Sequence, residues 1–116
     1  MAVIDYTVET LKTWKDKASV ITWSGLANGD SGQALEMPGW ADRSVQVFGT
    51  FGSGGNLRLQ GSNDGTNWAV LTDPQGNDIN ITVAKIEQVM ECVRYMRPLV
   101  TSGTGVNLTV SILVRR

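Results

Sequence analysis

The chain has 116 residues, with 10 Lys+Arg against 11 Asp+Glu, one cysteine and no histidine. That is enough for one domain with a sizeable core, but it excludes an internal disulfide, a Cys/His zinc set, and nucleophilic or acid–base machinery built on histidine. The net charge of −1 gives no basic footprint for nucleic acid.

In chain order, residues 1–17 carry sparse apolar side chains, Ile4, Val8, Leu11 and Trp14, whose spacing fits a helix or an extended arm equally. The opening Met1-Ala2-Val3-Ile4-Asp5 has neither the basic nor the apolar region of a secretory leader. We read 1–17 as an N-terminal arm and 18–116 as one β-sandwich domain. Ser19–Trp23 is the first strand candidate, then a turn at Asn28-Gly29-Asp30-Ser31-Gly32 and a short candidate at Gln33–Met37. Val45, Val47 and Phe51 share the next strand face, with Gly49 between them where a neighbouring backbone or ring approaches closely. Leu57 and Leu59 alternate with Asn56, Arg58 and Gln60.

Ser62-Asn63-Asp64-Gly65-Thr66-Asn67 is a hairpin signal, because Asn, Asp and Gly tolerate positive φ. After it come a short strand at Trp68–Leu71, a Pro/Gly turn at 73–78 and alternation through Ile79, Ile81 and Val83. Ile86, Val89, Met90 and Val93 then keep i, i+3, i+4, i+7 spacing, which predicts a short helical turn near 84–92. Tyr95–Thr101 reads as a strand, with Pro98 favouring an edge position or a break. The last strand is the clearest: Val106, Leu108, Val110, Ile112 and Val114 on one face, Asn107, Thr109 and Ser111 on the other. The expected fold is all-β, a single antiparallel, jelly-roll-like sandwich.

Few residues invite chemistry. Asp64, Asp73 and Asp78 lie in turn sequences where Asp is expected for turn geometry, and nothing implies the cleft that paired-carboxylate catalysis needs. The oxygen-rich loops holding Asn63, Asp64, Asn67, Asp73 and Asn77 lack the ordered spacing of a calcium loop. No catalytic, metal or cofactor residue is assigned. Cys92, beside Val93, reads as a buried small hydrophobe, and a lone cysteine fits maturation in a reducing compartment. Trp23 reads as core and Trp68 as a cap on one end of it. Trp14 and Trp40 follow no periodicity and are candidate binding anchors. Charged residues make up only 18% and there are four Trp, which suits a surface partly covered by a partner.

The run Gln60-Gly61-Ser62-Asn63-Asp64-Gly65-Thr66-Asn67-Trp68, with Trp23–Gly32, Asp42–Gly52, Leu71–Gly76, Tyr95-Met96-Arg97-Pro98 and the Val106–Arg116 strand, resembles small tailed-bacteriophage capsid decoration (cement) proteins. The resemblance covers most of the chain beyond about Thr22. It implies a jelly-roll-like sandwich, made in the bacterial cytoplasm, that binds the outside of the head. The implied partners are the major capsid protein and further copies of the chain; the base rate for symmetric oligomers favours a dimer over a trimer, and no enzyme activity, nucleic acid or membrane is expected. Trp14, Met37, Trp40 and Arg97 are assigned to that capsid or oligomer interface. Two rivals stand beside it: a carbohydrate-binding sandwich using Trp40 and Trp68, and another structural role in the virion.

Overall fold

The computed structural model describes residues 2–15, 17–36 and 38–116, with the side chain of Trp14 outside that description. Its strands are β1 (Val3–Ile4), β2 (Tyr6–Thr10), β3 (Ala18–Leu26), β4 (Ser31–Gly32), β5 (Leu35–Glu36) and β6 (Asp42–Thr50). They continue with β7 (Ser53–Ser62), β8 (Ala69–Val70), β9 (Asn80–Ile81), β10 (Lys85–Gln88), β11 (Tyr95–Thr104) and β12 (Asn107–Arg115). A single 3-10 turn, Lys12–Trp14, joins β2 to β3.

The strands form two sheets. The first runs β1-β4-β11-β7-β8, with β5 also on β11 and β9 on β7; the second runs β10-β6-β12-β3-β2. The pairings β3–β12, β4/β5–β11, β6–β10 and β7–β8/β9 nest inside one another along the chain. That is a long hairpin rolled across two sheets, the jelly-roll topology. The core lies between the sheets. Ile21, Trp23, Val45, Val47, Val110, Ile112 and Val114 fill it from the second sheet; Leu57, Leu59, Met96 and Val100 fill it from the first. The period-two alternation therefore marks the buried face correctly in β6, β7 and β12. At Gly49, φ is +122°, and a Cβ would lie 2.5 Å from the Asn107 carbonyl oxygen, the close backbone approach expected there.

The N-terminal segment is extended. β1 pairs in parallel with β4, Val3 opposite Ser31, whereas β2 pairs antiparallel with β3, Tyr6 opposite Trp23. Residues 3–10 thus clasp both sheets along one side. Ile4 and Tyr6 rest on the core, the Tyr6 ring meeting Trp23 edge-on at 5.8 Å. Asp30 fixes the start of the arm: Oδ1 accepts from the Ala2 amide and Oδ2 from the Ala27 amide, each at 2.9 Å.

Two expectations are corrected. The segment near 84–92 contains no helical turn: Lys85–Gln88 is strand β10, paired with Ser44–Val47 of β6. A helix would turn Ile86, Val89, Met90 and Val93 to one side. Instead Val89 is buried while Ile86 and Met90 are exposed, because the open edge of β6 supplies a ladder that no isolated helical turn can match. Pro98, expected at an edge or break, sits inside β11 with strands on both sides. It faces Leu59, whose amide and carbonyl both point away from β11, to Ile79 and Leu71. Its missing N–H therefore faces the gap between β4 and β5, where no ladder bond is lost.

Candidate interaction surfaces

Arg97 projects outward from β11 at the middle of the first sheet. Its Nε donates to Gln60 Oε1 at 3.0 Å, and its guanidinium carbon stands 4.0 Å from the centre of the Trp68 ring. Partial burial lowers its pKa, but a guanidinium stays charged at any ordinary pH. Two residues earlier on the same face, Tyr95 lies under Arg94 at 4.8 Å. Arg94 Nε donates to Glu36 Oε2 at 2.6 Å, and this hydrogen bond, with the Glu36 charge, raises the pKa of Arg94. Arg58, exposed on β7, adds a third cation to the face. Trp68 is therefore not the core cap expected of it. The residue after the hairpin loop continues into the β8 edge, and that register turns the ring to the outer side, where Arg97 covers it.

The hairpin loop holds this face in place. Asp64 Oδ1 accepts from the amides of Thr66 and Asn67, each at 2.8 Å, and from Ser62 Oγ at 2.9 Å; Asn67 Nδ2 binds its other oxygen. These bonds, the Asn67 amide first, keep the Asp64 carboxyl well below the usual carboxylate range. Asn63 Oδ1 accepts from the Arg94 amide at 3.0 Å. Gly65 lies over the Tyr95 ring with φ of +79°, a conformation L side chains rarely adopt. Asp73 Oδ1 likewise accepts from the amides of Gln75 and Asn77. The loop acids thus serve their own loops, and among the described residues no group of three or more acidic, Cys or His side chains could hold a metal.

Trp40 stands apart from Arg97, at the end of the sandwich where β5 crosses to β6. It is half-buried, packed on the core, with the Arg116 guanidinium 4.7 Å from its ring centre. Its carbonyl accepts from Nε of Arg43 at 2.8 Å. Arg43 is buried, reaching the Val93 carbonyl at 3.3 Å and the Met96 sulfur at 3.5 Å. It ties the 40–43 stretch to the 93–96 stretch across that end. Sequence reading missed it, although it occupies the inward phase set by Val45 and Val47. Trp14 belongs to the Lys12–Trp14 turn, and Met37 lies outside the described residues. Cys92 is exposed rather than buried, its sulfur 3.8 Å from the Pro38 carbonyl. The irregular 89–94 segment spends its inward positions on Val89 and Val93 instead.

The outer face of the second sheet has a different chemistry. β6 presents Ser44, Gln46 and Phe48, and β12 presents Thr109, Ser111 and Leu113. β3 adds Val20 and Thr22, and β10 adds Ile86 and Gln88. Charges stand at the margins: Glu9 on β2, Asp42, which accepts from Arg115 at 2.6 Å at one end, and Lys17 and Arg116, which line a hollow beside Leu113 there. A shallow hollow in this face is lined by Val20, Ser44, Gln46, Ile86, Ser111 and Leu113.

No protein-family model matches the chain, and no curated protein matches it either. Among solved structures, the SPBc2 prophage-derived protein YomS superposes with a TM-score of 0.65 at 12% identity, over 85% of this chain and 95% of that one. An RmlC-like cupin protein from Desulfovibrio desulfuricans gives a TM-score of 0.49 at 8% identity, over 96% of this chain and 82% of the other. Vicilin from Solanum melongena gives 0.49 at 12% identity, over 95% and 28%. At these identities the likeness is one of fold: the chain shares an all-β sandwich with a prophage-derived protein.

Proposed function

We propose that this protein is a non-enzymatic structural component of a tailed-phage virion that binds the outer surface of the capsid and bridges its subunits. The observation that carries the reading is the outer face of the first sheet. There Arg97 on Trp68 and Arg94 on Tyr95 form two adjacent arginine–aromatic stacks on a rigid β scaffold. Arg, Trp and Tyr are the residues most enriched at binding hot spots, and stacking and hydrogen bonds already hold these in place, so little side-chain entropy is lost on docking. The sequence resemblance to decoration proteins beyond about Thr22 and the shared fold with a prophage-derived protein support the same reading.

The mechanism is physical. A contact of about 800 Å² per partner suffices for specific attachment, and binding the expanded shell in preference to other states stabilises it by mass action. The test is co-sedimentation with expanded, undecorated capsids, with a glycan array run on the same sample. Saturable binding at a fixed ratio to capsid subunit, weakened tenfold or more by Arg97→Ala or Trp68→Ala, is the expected result. No capsid binding together with a clear sugar signal overturns the proposal in favour of a carbohydrate-binding module.

A further inference from the structure

We propose that the outer face of the second sheet, β10-β6-β12-β3-β2, is the contact surface for a second copy of this chain. This goes beyond the capsid-binding reading and does not depend on it, because it concerns the purified protein alone.

The face exposes large apolar side chains: Ile86 at 62%, Phe48 at 45% and Leu113 at 41%. Between them stand small hydroxyl and amide side chains, which leave the hollow around Ser111 open to an opposing side chain. The chain carries 10 basic and 11 acidic residues, yet the interior of this face has none. Its nearest charged pair, Asp42 and Arg115, is already satisfied within one copy.

That pattern selects the occupant. In a twofold contact the same patch meets itself, so any net charge on it is doubled and repels. The first sheet's face, with Arg58, Arg94 and Arg97 against Glu36, carries that penalty across its middle; the second sheet's face keeps Glu9, Lys17 and Arg116 at its margins. The area agrees. Three strands of nine residues, with flanking strands of four and five, cover roughly 600 Å² in projection at ordinary strand spacing. Side-chain relief raises the accessible area toward the roughly 800 Å² per partner of a standard interface. Two such faces stack like the layers of any sheet-on-sheet packing.

A twofold axis through the middle of the face passes at Ser111, which lies on the central strand β12 between Gln46 and Thr22. Ser111 therefore faces its own counterpart, and this gives a specific test. Sedimentation equilibrium across micromolar to submillimolar concentrations should show a wild-type dimer. Ser111→Lys and Ser111→Glu, each folded by circular dichroism, should dimerise on the order of 100-fold more weakly, because like charges meet at the axis. An equal mixture of the two should dimerise again, and Arg58→Glu on the opposite face should leave the dimer intact. A wild-type monomer at all concentrations overturns the proposal. So do Ser111 variants that associate like the wild type, or a mixture that stays monomeric. A monomer whose capsid binding fails on Ser111→Lys would assign this face to the shell instead.

Discussion

Gly32→Ala adds one methyl group at the point where the two sheets and the first turn converge. A Cβ on Gly32 would lie 2.5 Å from Pro98 Cδ, 2.7 Å from Pro98 Cγ and 2.6 Å from Trp23 Nε1, against the 3.4–4 Å of ordinary contact. Something must move by about 1 Å, and neither neighbour moves freely. Pro98 is fixed inside β11 opposite Leu59, and Trp23 is fully buried with Nε1 donating to the Gln33 carbonyl at 3.1 Å. Overpacking of this kind costs about 1–3 kcal/mol. A stretched indole hydrogen bond in a buried site adds about 1 kcal/mol or more. The gain from a less flexible unfolded chain offsets only about 0.4–1 kcal/mol. The net expectation is a loss of about 2–3 kcal/mol, or roughly 10 °C in Tm. Gly39→Ala is the matched control. It has nothing within 4 Å of the added carbon and no left-handed φ, so it should be neutral or slightly stabilising. Urea unfolding of both variants with unchanged m-value measures the difference. A Gly32→Ala protein that unfolds at the wild-type midpoint would refute the packing argument for Pro98 inside the sheet.

Trp40→Ala should lower stability by about 1–3 kcal/mol, less than for a fully buried Trp because the ring is only half-buried; the check is thermal unfolding, beside capsid binding measured well below the lowered midpoint. Glu91 gives a pH-dependent prediction. Burial acts to raise its pKa, but the Thr72 hydroxyl and amide, both donating to the carboxylate, outweigh that and hold it below its usual 4.5. A depressed folded pKa means stability present above the unfolded value and lost as pH falls through the folded one. Glu91→Gln should therefore be less stable than wild type by about 1 kcal/mol at pH 7, and the gap should close as pH falls below about 4.5. A gap that stays constant from pH 7 to pH 3 in urea titrations would refute the assignment.

The alternation of Val106–Val114, the Leu57/Leu59 run and the Asp64-Gly65 hairpin made the strands and the all-β class legible from sequence. Each is a local signal, in which the period of the side chains or the φ preference of a few residues fixes the local backbone. The hairpin also located the loop that supports Tyr95 and Arg94, although not what those residues do. What local patterns leave open is which backbone groups find partners far along the chain. Residues 85–88 have the spacing of a helix, but the open edge of β6 made them a strand. Pro98 reads as an edge residue or a strand break, but the gap between β4 and β5, more than sixty residues earlier, let it stand inside the sheet. The N-terminal segment fitted helix or strand equally until β3 and β4 offered it ladders on both sheets. The two contrasting surfaces have the same origin. Arg97 was singled out in sequence, but its stack on Trp68 and the uncharged face around Ser111 exist only where pairing registers bring separate strands side by side. Sequence determines which way a side chain points along its own strand; only the tertiary pairing decides which side chains become its neighbours, and a surface is made of neighbours.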